Sequence, residues 1–492
     1  MPSDLLLFHA YRLADDPRER ELMRPFPPLG LQYLVAWLRR AGRTVDWWDA
    51  TFAASLADFH GRVAVLDPRV VGLYGHTLTR HHALPMLERC RRSGRRTIAG
   101  GPDPVQYAEL YLAGGAEVIV VGEGERTLEA LLAHLERNAW TWDWDALRHI
   151  EGVLFRTPAG EVVRTPERAL IYPLEQVPWP AREHGDLDQY LKIWREHHGE
   201  TALSISTSRG CPFGCTWCSK QVYGDSYRRR SVEDVVEEML YLRTTFAPDQ
   251  LWFVDDLFTI QRKWVMAFAA EVVRRGAQIP FYLVGRPETL DREMLEALKG
   301  AGCFRIYCSA ESGSQAVLDA MNKRTTVEEI LEAGRLLRAA GIELGVFVML
   351  GYPPEELAEV HATTRMLRTL DPEIALLSVA HPMRGTAFYD AVADHVVHPP
   401  GWEARNGSRL AFRMRYPMAF YEAAQRQIHT EVGIRRKLAR REIDRELLGL
   451  VLKWPAWRLA VEGLGHWPGR WPAQSAARPT STLPTFRRER RR

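Results

Sequence analysis

The apolar positions near the start of the chain follow two rhythms. Leu5–Phe8 is a short continuous apolar run, the pattern of a strand buried on both faces. PPLGLQYLVAWLRRAG then places Leu31, Leu34, Val35 and Leu38 on one helical face, and Gly42 supplies a stop. Strand-like runs recur at Val45–Trp48, Val70–Tyr74, Arg96–Ala99 and Val118–Val121, with helical patterns between several of them. This alternation predicts an α/β fold over residues 1–140: an open parallel sheet with helices on both faces.

The rhythm lapses over residues 141–200. A hairpin pattern, GVLFRTPAGEVVRT, and the proline-rich YPLEQVPWPAREHGD predict a wrapped linker there. From residue 201 to 395 the strand–helix alternation resumes. The strand ALSISTSRG ends directly at Cys211, and further strands are expected at 250–255, 280–285, 303–310, 342–350 and 374–380. Six such strands make a partial (β/α)6 barrel rather than the eight of a closed one, leaving a side cleft for a large substrate. Residues 396–472 read as a small helical domain, and 473–492 as a disordered basic tail.

Composition narrows the function classes. The chain has 492 residues, 46% of them hydrophobic, and a formal charge of +3. So small an imbalance gives no electrostatic reason to expect a nucleic-acid partner. MPSDLLLFHAY lacks a basic leader and the long apolar run of a signal peptide. No stretch approaches the ~20 apolar residues that span a bilayer. Six cysteines are too few for a disulfide scaffold in so long a chain. A reducing cytoplasm is the expected location. The tryptophan- and arginine-containing KWPAWRLAVEGLGHWPGRWP raises contact with a membrane surface, against packing on the barrel.

Candidate chemistry lies where the strands end. In the first part these loops are YGHTLTR, with His76, Thr77 and Leu78; AGGPDPVQY, with Gly100, Gly101 and Pro102; and VGEGERT, with Gly122, Glu123, Gly124 and Glu125. The last is a poor dinucleotide loop, because a third glycine is missing and two glutamates would repel a pyrophosphate. A bulky, weakly anionic ligand fits better. In the barrel part the strand ends carry Asp255 and Asp256, Arg286, Glu311 and Ser312, and Gly351 of GYPPEE.

The densest signal is TSRGCPFGCTWCSK, which places Cys211, Cys215 and Cys218 within eight residues. Structural zinc needs a fourth ligand, and His197 and His198 both precede the strand that leads into the loop. Three thiolates on a four-iron cluster leave one iron open for a small-molecule ligand.

This loop, with Trp217 before its third cysteine, resembles the signature of the radical S-adenosylmethionine enzymes. WFVDD, SAESGS, FVMLGYPPEE and HPMRGTAFY resemble the later strand-end motifs of that family. PPLGLQYLVAWLRRAG, GGPDP and VGEGERTLEALL resemble its cobalamin-binding subgroup, whose Rossmann-like domain precedes the barrel. The resemblance spans roughly residues 5–395.

It implies a [4Fe–4S] cluster on Cys211, Cys215 and Cys218. It implies S-adenosylmethionine beside Trp217, Asp255, Asp256, Arg286, Glu311, Ser312 and Gly351. Cobalamin would lie against His76–Leu78, Gly100–Pro102 and Gly122–Glu125. The implied reaction is hydrogen abstraction by a 5′-deoxyadenosyl radical, then methylation of an unactivated carbon in a small-molecule or lipid metabolite. An electron donor such as flavodoxin or ferredoxin is implied too. The alternative within the family is an anaerobic cyclase-type oxidation; from a different class, a cobalamin or iron–sulfur sensor without turnover. Methylthio transfer fits less well, since the N-terminal part offers only Cys90.

Two details stand apart. The axial-histidine motif Asp-x-His-x-x-Gly of many cobalamin domains is absent, because His60 is followed at once by Gly61 and Val63 takes the last position. The residue facing the lower side of cobalt is therefore unassigned, with HTLTR supplying candidates. Cys308, on the fourth barrel strand, is a candidate hydrogen donor or cofactor contact.

Overall fold

The computed structural model describes residues 3–182, 187–220, 222–397, 411–439 and 441–466. The basic tail 473–492 lies outside them. Five strands run parallel in the first sheet: β1 (Leu5–His9), β2 (Val45–Asp49), β3 (Val70–Tyr74), β4 (Arg96–Gly100) and β5 (Val118–Val120). Their spatial order is β2-β1-β3-β4-β5. Central β1 is buried at every position because helices cover both faces. Its alternate residues enter different cores: Leu5 and Leu7 pack with Leu31, Val35 and Leu38, while Leu6 and Phe8 pack with Phe59, Met86 and Leu87.

Residues 153–164, read above as part of a linker, instead extend this sheet. β6 (Val153–Arg156) pairs antiparallel with β5, and β7 (Val162–Arg164) with β6. Burying β6 covers an edge of β5 that would otherwise present unpaired backbone groups.

The second sheet begins at β8 (Ala202–Ile205). A short antiparallel ribbon follows, β9 (Ser208–Arg209) with β10 (Arg228–Arg229). Then come β11 (Gln250–Phe253), β12 (Phe281–Gly285), β13 (Cys303–Glu311), β14 (Glu343–Leu350) and β15 (Ile374–Val379). β8 and β11–β15 form a six-stranded, all-parallel sheet in chain order, an open part-barrel whose edges are β8 and β15. Helices between the strands start on capping side chains: Ser231 accepts from Asp234 N–H, Asp291 from Met294 N–H, and Thr326 forms a capping box with Glu329. The inner side carries Trp252, Tyr282, Tyr307 and Phe347, with stacked or edge-on ring contacts along the series.

Two helices, Met418–Ala439 and Arg445–Gly465, follow the part-barrel. Tyr416, Phe420 and Tyr421 are buried as core. Leu448, Leu452 and Leu459 of the last helix are exposed. Among the described residues, no helix is long and apolar enough to cross a membrane.

Candidate functional site

The cysteine loop leaves the carboxyl end of β8. Gly210, with φ +84°, turns the chain into Cys211, and a Cβ there would collide with the Ser226 carbonyl oxygen. Asp255, at the exit of β11, fastens this approach. Its carboxylate accepts from the N–H of Thr207 (2.6 Å) and of Ser208 (3.0 Å) and from the Thr207 hydroxyl. Those bonds occupy Asp255 with the loop, while the carboxyl of Asp256 is raised by loss of water and by the neighbouring Asp255 charge.

Arg286, at the exit of β12, is almost wholly buried. Its Nη1 lies 3.8 Å from Cys215 Sγ, and its guanidinium 3.9 Å from the centre of the Phe213 ring. It also pairs with Glu288 and donates to the Lys323 carbonyl. The fully held guanidinium fixes the position of the Cys215 side chain on this rim. Lys220 donates to the Phe213 carbonyl (2.6 Å) and pairs with Asp225, so its amine ties the loop to itself.

All three cysteines are free thiols. Burial raises Cys211, and the charges of Asp256 and Cys215 add to it. Loss of water, then Cys211, Cys215 and Asp256, push the Cys218 thiol up to about 11. Each pair of thiols thus feels its like-charged neighbour, a cost that a bound cation removes. Among the described residues, no three His, Cys, Asp or Glu side chains converge to hold a single metal ion. A donor set of spaced thiols fits a polynuclear iron–sulfur group.

The rim continues along β13 and β14. The pairing register shifts between Ser309 and Glu311, and Glu311 adopts φ +63°. A buried non-glycine residue in that region is strained, as ligand-contacting backbone often is. The Glu311 carboxylate faces Lys323 Nζ at 3.4 Å; burial raises it and Lys323 opposes the shift. Ser312 Oγ lies 3.3 Å from Thr363 Oγ1, which also accepts from Gly313 N–H at 2.9 Å. Trp217 stands edge-on to Tyr352, with Lys323 Nζ 5.5 Å from its ring centre. The buried hydroxyl of Ser309 makes no hydrogen bond among the described residues. Gly351, with φ +82°, is backed by Met414 and Tyr421 and donates its N–H to Glu355.

Cys308 does not join this rim. Strand alternation sends it, with Ile306 and Ala310, into the core beneath the sheet, where burial pushes its thiol up to about 12. The candidate role of hydrogen donor is corrected to core packing.

The carboxyl edge of the first sheet faces this loop. Glu123 and Glu125 are both buried and both paired: Arg209 Nη1 lies 2.7 Å from Glu123 Oε1, Arg209 Nη2 2.6 Å from Glu125 Oε1, and Arg228 Nη1 2.9 Å from Glu123 Oε2. Arg209 and Arg228 belong to the ribbon that leads into and out of the cysteine loop. Glu123 also accepts from the Ile171 N–H at 2.7 Å, and the arginines together with that bond hold its carboxyl below the usual range despite burial. Gly122, with φ +75°, and Gly124 flank Glu123. Gly101, with φ +100°, lies so close to Gly75 that a Cβ would meet the Gly75 carbonyl oxygen at 2.5 Å. Gly100 accepts from Gly75 N–H at 2.8 Å, and Pro102 opens the next helix. The glycine pair thus draws two strand-end loops together. Thr77 donates to Asp103 at 3.2 Å, and Asp103 is locked to buried Arg80 and Tyr111. Leu78 is exposed.

His76 is partly buried, and its Nε2 lies 3.1 Å from His9 Nε2. His9 Nδ1 lies 3.1 Å from Asp49, which also accepts from Tyr190 and Thr51. Burial, then His9, lowers His76 to about 3, so the ring is neutral. Sequence reading missed His9, Asp49, Tyr190, Arg209, Arg228 and Lys323. The RRR run at 228–230 was a signal for Arg228; the others carry none.

The family models agree with this division. Residues 205–367 match the model of the Radical SAM superfamily, and residues 21–132 that of the B12 binding domain. An uncharacterized methyltransferase of Pyrococcus horikoshii is 28% identical over 387 residues, covering 76% of this chain and 81% of that protein. The anaerobic magnesium-protoporphyrin IX monomethyl ester cyclase of Rubrivivax gelatinosus is 26% identical over 384 residues, covering 76% and 68%. The fold matches the radical S-adenosylmethionine methyltransferase TsrM from Kitasatospora setae, solved with cobalamin and a [4Fe–4S] cluster, at a TM-score of 0.67 and 21% identity over 80% of this chain and 75% of that one. With thiols, rim and sheet edge assembled as described, the chain belongs to the cobalamin-binding radical S-adenosylmethionine enzymes, whose cofactors are a [4Fe–4S] cluster, S-adenosylmethionine and cobalamin.

Proposed function

We propose that the protein transfers a methyl group to an unactivated carbon of a small-molecule or lipid metabolite. The observation that carries this reading is the buried join between the two sites: Arg209 and Arg228, flanking the cysteine loop, pair with Glu123 and Glu125 at the carboxyl edge of the first sheet. A substrate held in the part-barrel therefore lies between both cofactor sites.

When bound, the cluster and S-adenosylmethionine supply a carbon-centred radical, and cobalamin supplies the methyl group. The chain's own residues do the rest. Cys211, Cys215 and Cys218 hold the cluster, and Arg286 keeps Cys215 in place. Asp255 sets the course of the loop. Asp256, Arg286, Glu311 with Lys323, Ser312, Gly351 and the unpaired Ser309 hydroxyl line the rim that S-adenosylmethionine would meet. His76–Leu78, Gly100–Pro102 and Gly122–Glu125 form the cobalamin edge, with Glu123 and Glu125 acting through their arginine partners. Trp252, Tyr282, Tyr307 and Phe347 give the inner wall an apolar, water-excluding surface. A small donor such as flavodoxin or ferredoxin would supply the electrons the reaction consumes.

The test is anaerobic turnover with dithionite, cobalamin and methyl-labelled S-adenosylmethionine. A methyltransferase releases both 5′-deoxyadenosine and S-adenosylhomocysteine. 5′-Deoxyadenosine alone would favour the second reading, an oxidative cyclase-type reaction, for which the similarity to the Rubrivivax enzyme speaks. Neither product would sink both readings and leave a sensor. The Cys211→Ala, Cys215→Ala, Cys218→Ala triple variant should lose all bound iron and both products.

A further inference from the structure

The helix Arg445–Gly465 has two apolar faces. One packs inward: Leu447, Val461 and Gly465 are buried, Trp454 donates to Glu431 at 3.4 Å, and the Arg426 guanidinium lies 4.9 Å from the Trp457 ring centre. The opposite face turns outward. It carries Leu448, Val451, Leu452, Pro455 and Leu459, all exposed. Their spacing sets them in one stripe along three turns. Leu438 and Ile443, at the join between the last two helices, are exposed as well. Six of the thirteen large apolar side chains exposed among the described residues thus fall within residues 438–459. A helix that is apolar all round is a buried helix, and an outward apolar stripe marks a contact surface.

The charges around this stripe are sorted by sign. Lys437 collects the acidic side chains at the start of the helix: Asp444 at 2.7 Å, Glu446 at 2.9 Å and Glu442 at 3.9 Å. Glu462, near the other end, pairs with His361 at 3.3 Å. Residues 441–466 contain no other carboxylate side chain. Arg441, Arg445, Lys453 and Arg458 are exposed and pair with none of these four. Residues 467–492, outside the described residues, add seven arginines against one glutamate. A second copy of this face would set like cations against one another, and the arginine-rich segment would meet the same repulsion. An anionic apolar boundary complements both the stripe and its cations.

We propose that the helix Arg445–Gly465 lies flat on an anionic lipid bilayer. Leu448, Val451, Leu452 and Leu459 enter the headgroup boundary, and Arg445, Lys453 and Arg458 meet lipid phosphates. Interfacial helices have this build: an apolar stripe bordered by cations, parallel to the membrane. The tryptophans that raised membrane contact in the sequence do not make it, since Trp454 and Trp457 contact the helix Met418–Ala439 and leucines take the outward face. Membrane binding is independent of the proposed reaction and is read without turnover.

The test is co-sedimentation of the full-length protein with vesicles of equimolar phosphatidylglycerol and phosphatidylcholine, beside vesicles of phosphatidylcholine alone. The native chain should bind the first far more tightly, and added salt should weaken that binding. The Leu448→Gln, Leu452→Gln, Leu459→Gln triple variant should bind at least about ten-fold more weakly. Lys453→Gln with Arg458→Gln should cost about 25-fold, at about five-fold per cation. All five side chains are exposed, so both variants should keep the native melting temperature. A native protein that stays in the supernatant would overturn the proposal, as would equal binding to phosphatidylcholine alone. Binding that the leucine variant retains would also overturn it, assigning the attraction to the arginines of 467–492. A native dimer in sedimentation velocity that the leucine variant dissolves would give the face to a second copy instead.

Discussion

Arg209 Nη2 stands 2.6 Å from Glu125 Oε1, both side chains almost wholly excluded from water. This pair, with Arg209–Glu123 and Arg228–Glu123, ties the loop after β5 to the ribbon that delivers Cys211. Arg209 also lies over Tyr33 and Tyr223, at 5.5 and 5.2 Å from their ring centres.

Arg209→Met would leave two buried carboxylates short of a partner. Breaking a buried pair from one side costs about 3–5 kcal/mol. Urea unfolding of the apoprotein should show that loss, and a change below about 1 kcal/mol would mean the pair behaves as an exposed one. Adding Glu123→Gln and Glu125→Gln should restore part of the stability, because the uncompensated charges are gone.

Arg286→Gln should weaken the iron site without unfolding the part-barrel. Losing a residue that orients a metal ligand costs about 10- to 100-fold in affinity. Iron retained after desalting, read against the wild type, measures it. Unchanged retention would show that Arg286 serves Glu288 and Lys323 alone.

Asp255→Ala should loosen the exit of β8. The carboxylate accepts three hydrogen bonds from Thr207 and Ser208, and charged bonds of this kind contribute about 1.5–3 kcal/mol each. The expected result is a lower melting temperature together with lower iron content. Normal stability with normal iron would contradict the positioning role.

Glu355 makes stability depend on pH in an unusual direction. Burial raises its carboxyl from 4.5 to about 8. Between those values the unfolded chain has released this proton and the folded chain has kept it. The folded state then binds more protons, so stability falls as pH rises, by at most about 1.4 kcal/mol per pH unit for one group. Below 4.5 and above about 8 the contribution is flat. Glu355→Gln retains an acceptor for Gly351 N–H and should flatten the profile across that window. An unchanged slope in denaturant titrations would assign the effect elsewhere.

Much of the fold is legible along the chain because its code is local. Continuous apolar runs mark the strands buried on both sides, and helical spacing marks the covering layers. Residues 153–164 escaped because a hairpin pattern does not say which sheet it joins; only the free edge of β5 decides that. Cys308 was misjudged for the same kind of reason: its place on a strand is visible, but the face it takes depends on strand register.

The sequence by itself determined the cysteine loop, since three thiols within eight residues stay together whatever the rest of the chain does. It also determined the strand-end loops, whose glycines and turns answer to their own backbone. Only the tertiary structure decided what the charged and titratable groups do. Arg209 and Glu123 are 86 residues apart, and Tyr190 and Asp49 are 141 apart. A carboxylate or an imidazole takes its role from the nearest donor or cation, and that neighbour is set by which loops the two sheets bring to one edge.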